Sequence, residues 1–144
     1  MRRLIPGILL LAVMAGAAGC NDNTTTTPTT PTTTTTPASS TTETFTGTLT
    51  MNGAASYPFV AGSAGTVTAT LTTVAPDATV AIGLSLGAWT GSACQISIAN
   101  DSATQTAVVT GTVTAAAALC ARVYDTGKVT SAKPVDFTVT IVHP

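Results

Sequence analysis

The side chains best suited to acid, base or nucleophilic chemistry are few in these 144 residues: Cys20, Cys94 and Cys120, the single histidine His143, and six carboxylates. Each chemistry they suggest makes a demand on spacing. A Ser-His-Asp relay needs an imidazole held in place by packing, and His143 stands second from the C-terminus, where chains tend to fray. Glycosidase chemistry needs two carboxylates facing one another, whereas Glu43, Asp77, Asp101, Asp125 and Asp136 are scattered, mostly in turn sequences that favour Asp for backbone reasons. A zinc site wants Cys and His at short spacings, but Cys94 and Cys120 lie far apart with no histidine nearby. The expectation is a chain with no catalytic residue, no metal and no cofactor.

Cys20 stands apart from the other thiols because of what precedes it. Arg2 and Arg3 are followed by the apolar run Ile8 to Met14 and then by small residues, Ala15 to Gly19, which is the plan of an export signal. The apolar run falls short of the ~20 residues that a membrane-spanning helix needs. Its end, Ala17, Ala18, Gly19, Cys20, resembles a bacterial lipobox, with Ala17 where that pattern more often carries Leu. The resemblance implies a diacylglyceryl group on the Cys20 thiol, removal of residues 1–19, and a lipid-anchored protein of the bacterial cell envelope, the outer membrane favoured over the inner. The alternative is an ordinary secretory signal that leaves a free thiol.

With Cys20 lipidated, Cys94 and Cys120 are the two thiols that remain, in a compartment where disulfides persist, so their pairing is expected. One pattern opposes it. Cys94 shares a parity with Ile96 and Ile98, whereas Cys120 shares one with Arg122 and Tyr124, opposite to Leu119, Ala121 and Val123. Either Cys94 sits at an irregular strand start, or a bulge re-aims one side chain, or the two remain separate buried thiols.

Residues 20–43 read as a disordered tether. Threonine dominates, Pro28, Pro31 and Pro37 recur, and no aliphatic side chain larger than alanine is present to offset the entropy of ordering. Proline and β-branched threonine favour extended conformers, so ~20 residues at ~3.1 Å each reach up to ~60 Å.

From 44 to 144 the period becomes two, over a length of about 100 residues that suits one domain. Val67, Ala69 and Leu71 alternate with threonines, Val80, Ile82, Leu84 and Leu86 repeat the device, and Phe137, Val139 and Ile141 repeat it again. Weaker runs and turn signals such as Asn52-Gly53, Pro76-Asp77 and Asn100-Asp101 bring the total to about eight short strands. The fold class expected is all-β, a two-sheet sandwich of jelly-roll type, with an Ig-like order as the alternative. Charged residues make up 8% of the chain and the net charge is -1, so no basic surface for nucleic acid is expected.

Three stretches carry a further resemblance: "FTGTLTMNGAASYPFVAGSAGTVTATLT", "LSLGAWTGSAC" and "CARVYDTGKVTSAKPVDFTVTIVHP". In that order they resemble the bacterial pre-peptidase C-terminal domain, a β-sandwich appended to secreted proteins. The resemblance implies a non-catalytic accessory module. Some members of that family bind calcium or extracellular polymers, but this sequence lacks a dense acidic loop. Two functional expectations follow: a binding or adhesion module using Trp89, Arg122 and Tyr124 to hold a glycan or protein, or a structural envelope lipoprotein that packs within a larger assembly. A buried Trp89 would favour the second, an exposed one the first.

Overall fold

The computed structural model describes residues 39–144; the expected signal, Cys20 and most of the tether lie outside the described residues. Eight antiparallel strands follow in order: β1 (Thr41–Leu49), β2 (Ala54–Ala61), β3 (Gly65–Ala75), β4 (Ile82–Trp89), β5 (Cys94–Ala103), β6 (Val108–Val113), β7 (Ala117–Tyr124) and β8 (Val135–His143). They form two four-stranded sheets, β1-β8-β3-β6 and β2-β7-β4-β5. This is the jelly-roll order, in which successive strands alternate between sheets except for β4 and β5, a hairpin within the second sheet, and it replaces the Ig-like alternative.

The alternation read in the sequence places the core. Val67, Ala69 and Leu71 of β3, Ile82, Leu84 and Leu86 of β4, and Phe137, Val139 and Ile141 of β8 are all buried between the sheets. A fully buried Leu, Ile or Phe contributes roughly 1.5–3 kcal/mol relative to exposure, so these central strands hold most of the apolar stabilisation. The outward partners on the first sheet are threonines, which the pleated surface accommodates because their branched Cβ suits extended backbone. The β1/β2 edge is closed by aromatics. Phe45 and Tyr57 stack at 4.9 Å, Tyr57 meets Phe137 edge-on at 6.2 Å, and the Tyr57 hydroxyl donates to Thr46 O at 3.2 Å.

Two boundaries differ from expectation. Strand pairing reaches back to Thr41, opposite His143, and so takes Thr41 to Glu43 from the segment read as tether. His143, expected to fray, is 3% exposed. The reason is its position on β8, which is hydrogen-bonded on one side to β1 and on the other to β3, so the last residues are held from both edges. Its Nε2 lies 3.0 Å from Glu43 Oε1 and its ring packs 5.1 Å from Phe59.

The registers sort the loops onto two ends. Thr41 lies at the same end as the connections Ala61–Gly65, Trp89–Cys94 and Val113–Ala117. The connections Leu49–Ala54, Ala75–Ile82, Ala103–Val108 and Tyr124–Val135 lie at the far end.

Candidate binding site

The outer face of the second sheet carries two side-chain ties that skip a strand. Cys120, Arg122 and Tyr124 of β7 face outward, opposite to the core residues Ala121 and Val123. On β4 their neighbours are Gly87, Ser85 and Gly83. Cys120 crosses β4 to form a disulfide with Cys94 of β5, with Cα atoms 5.7 Å apart, where next-but-one strands of a regular sheet stand roughly 9.5 Å apart. The parity conflict in the sequence is resolved by a bulge. The β4–β5 register jumps between Leu86, opposite Ile98, and Gly87, opposite Ile96, so Ser97 is the extra residue and Cys94 turns to the outer face.

At the far end Tyr124 lies across Gly83, and its hydroxyl donates to Asp101 Oδ1 of β5. A second register jump, between Ile82 and Leu84, aims Asp101 at it. Burial first, then the hydrogen bond and the charge of Asp101, push the Tyr124 phenol up to about 12, with Arg122 pulling the other way. An unfolded tyrosine ionises near 10, so the stability from the neutral phenol is full below pH 10 and is lost as pH rises toward 12. Tyr124→Phe is therefore expected to flatten the fall of the urea midpoint across that window, leaving the share of Tyr57, which burial also raises. Equal slopes in the two proteins would contradict the assignment.

The residues expected to bind are only partly brought together. The Arg122 guanidinium carbon stands 5.8 Å from the Tyr124 ring centroid, and Arg122 Nε is buried without a hydrogen-bond partner among the described residues. Trp89 lies elsewhere. Tyr124 pairs with Gly83, and Trp89 lies six steps further along β4, roughly 20 Å at 3.3 Å per residue. Trp89 is half-buried at the Thr41 end and stands outside the core cluster, so it is neither a core plug nor part of the Arg122–Tyr124 platform.

A further concavity was not marked by those residues. A cleft of about 600 Å3 opens at the far end between the loop holding Pro76 and Asp77 and the loop holding Lys128 and Lys133, with Val80 and Val135 on its wall. That volume falls within the roughly 300–1,000 Å3 usual for ligand clefts. Both loops are shaped by an aspartate. Asp77 accepts from Thr79 N at 2.9 Å and Thr79 Oγ1 at 2.7 Å; these bonds, outweighing slight burial and helped by Lys133, hold its carboxyl below the usual range. For Asp125, burial pushes upward, but the N–H groups of Val129, Asn52, Lys128 and Gly127, at 2.8–3.0 Å, outweigh it and lower the carboxyl. These are backbone-organising roles, as the turn sequences suggested.

The other side-chain carboxylates of the described residues meet side chains instead. Glu43 meets His143, Asp101 receives Tyr124, and Asp136 accepts from Thr48 Oγ1 at 2.6 Å. Among the described residues the cations are the reverse: Arg122, Lys128 and Lys133 lie within salt-bridge distance of no carboxylate, the one such contact being that of His143 Nε2 with Glu43. No three His, Cys, Asp or Glu side chains of the described residues come close enough to hold a metal ion. The cleft sets the ammonium groups of Lys128 and Lys133 against the carboxylates of Asp77 and Asp136, two charges of each sign. Neither protein-family models nor curated proteins give any match to this chain.

Proposed function

We infer that the chain is a lipid-anchored protein of the bacterial cell envelope whose jelly roll is a non-catalytic module for binding or adhesion to an extracytoplasmic glycan or protein. The lipobox-like residues before Cys20 support the anchor, and the resemblance to the pre-peptidase C-terminal domain supports an accessory rather than catalytic part. The observation that carries the binding role is the placement of the cleft. The chain joins the sandwich at Thr41, and the cleft opens at the opposite end, so a tether at Thr41 leaves it free to meet a ligand. The lone histidine is consistent with this, being enclosed by Glu43 and Phe59 rather than turned toward the cleft. Co-sedimentation of the mature protein with insoluble envelope material from its own host provides the test. Retention that free domain competes away is the expected result; a protein that stays in the supernatant at every concentration would contradict the reading.

A second reading, a structural lipoprotein packed within a larger assembly, is favoured by the β5/β6 edge. There Ile96, Ile98 and Val108 are 45%, 42% and 51% exposed, and Ile98 lines an apolar slot of about 140 Å3 together with Val67, Leu86 and Leu119. Cross-linking in intact cells separates the two: a protein neighbour captured from β5 and lost in Ile96→Ser/Ile98→Ser would support assembly.

A further inference from the structure

We propose that the half of the second sheet's outer face nearest Thr41 lies against the lipid surface to which the chain is anchored, with Trp89 at its centre. The proposal rests on the lipid-anchor reading and adds which face of the domain meets the bilayer. Val60 of β2 pairs with Ala118 of β7, and Trp89 of β4, one residue past the Ala88–Leu119 pair, takes the place beside Ala118. The next outward row is Pro58, Cys120 and Gly87, with Ile96 of β5 opposite Gly87. Val60 is 64% exposed, Pro58, Ala118 and Ile96 are exposed, and Trp89 is half-buried. No charged side chain stands in either row.

The charges of the domain are sorted along the strands. Asp77, Asp125, Lys128 and Lys133 belong to the far-end loops, and Asp101, Arg122 and Asp136 to the far halves of β5, β7 and β8. Among the described residues the Thr41 end keeps one carboxylate, Glu43, which meets His143. Its three loops, 62–64, 90–93 and 114–116, hold only glycine, alanine, serine and threonine. Bringing such an end to lipid headgroups strips no loop ion of its water, whereas Arg122 and Asp101, on the other half of the same face, would be costly to desolvate. The contact therefore stops short of Arg122 and leaves the far-end cleft in water.

A bilayer is the occupant that these features fit. Tryptophan joins an apolar body to a polar N–H and is enriched at the level of the headgroups for that reason. With no lysine or arginine at this end, attraction to anionic lipid plays no part, and apolar burial is the driving force. The chain reaches the domain at Thr41, about 20 residues after Cys20. Linkage of that length holds the face near the surface at an effective concentration on the order of millimolar, so a contact too weak to retain a free domain is still populated.

Trp89 is the only tryptophan of the chain, so its fluorescence reads this face alone. With Cys94 and Cys120 bridged, residues 20–144 carry one free thiol, and coupling it to a maleimide lipid anchors the chain in vesicles without relying on its host. Phosphatidylcholine brominated on its acyl chains quenches tryptophan only at near contact. Relative to plain phosphatidylcholine, a loss on the order of half of the Trp89 emission is expected, unchanged by added salt or by anionic lipid. Val60→Glu and Ala118→Glu, both at exposed positions, should each abolish most of that loss, and Met51→Glu, 51% exposed at the far end, should leave it as it is. An unchanged urea midpoint certifies that each variant is folded. Equal emission in the two vesicles, or quenching that survives in folded Val60→Glu and Ala118→Glu, would overturn the proposal. So would quenching that needs many chains per vesicle, which would make the occupant a second copy. Because the lipid is supplied chemically, none of these outcomes touches the anchor reading, which the mass of the host's own protein decides.

Discussion

Gly87→Ala is expected to cost about 3 kcal/mol of folding stability, far more than the same change at Gly111. The reason is the crossing of β5 over β4. A Cβ at Gly87 would meet Gln95 O at 2.0 Å, Gln95 C at 2.6 Å and Ile96 Cα at 2.9 Å, all of them backbone atoms that no rotamer change can move. To admit the methyl group, β5 must lift away from the outer face, which pulls on the Cys94–Cys120 bridge and undoes the Ser97 bulge. Gly111 is the control, because its Cβ would meet nothing within 4 Å. Urea unfolding of the two variants measures the difference. Midpoints that agree to within about 0.5 kcal/mol would show that β5 does not lie over Gly87.

The double variant Cys94→Ala/Cys120→Ala is expected to lose about 3.5 kcal/mol, the chain-entropy value for a closed loop of roughly 27 residues. The two cysteines are 26 residues apart in sequence, and the loop between them contains all of β5, the whole of β6 and their turns. β5 is an edge strand with few core side chains, Ala103 being the main one, so the bridge supplies attachment that packing does not. A loss this large is a substantial share of the 5–15 kcal/mol typical of a domain. Thermal and urea unfolding of oxidised wild type, reduced wild type and the double variant check it. If reduction and substitution both leave the midpoint unchanged, the bridge contributes nothing to the fold.

How much of this was legible in the sequence depends on what each residue's neighbours are. The core of β3, β4 and β8 was readable because those strands are central and their large apolar side chains recur at every second residue from Val67 to Leu71, Ile82 to Leu86 and Phe137 to Ile141, although β3 slips its register after Leu71 and the outer-face residues of β4 are buried as well. β5 was harder. Its Ile96 and Ile98 look like one apolar face, but the bulge at Ser97 sends them to different sides, and both remain exposed at the edge. The parity mismatch of the cysteines was the trace of that bulge in the sequence, and it identified a local irregularity without saying which strand carried it. His143 was misjudged because chain position suggested fraying, whereas pairing on both edges of β8 is a tertiary fact.

The candidate site divides in the same way. Arg122 and Tyr124, an i, i+2 pair on one face of β7, do lie together. Trp89 was expected to act with them as an aromatic near a loop, and the strand places it at the other end, near a different loop. Lys128 and Lys133 fall in a loop with no periodicity, so only the pairing of β3 with β8 brings them beside Pro76 and Asp77. The sequence signal nearest to the cleft was the turn pair Pro76-Asp77, which marks a loop but not what the loop encloses.

The proposed anchor is the claim on which the placement of the whole molecule depends, and the intact mass of the protein extracted from its host's membranes tests it most directly. The account predicts a polypeptide of residues 20–144 with a diacylglyceryl-based lipid on Cys20, together with release of Cys20→Ala into the aqueous phase of a detergent partition. A membrane-derived polypeptide that still carries residues 1–19, or one whose Cys20 thiol is unmodified, would contradict it.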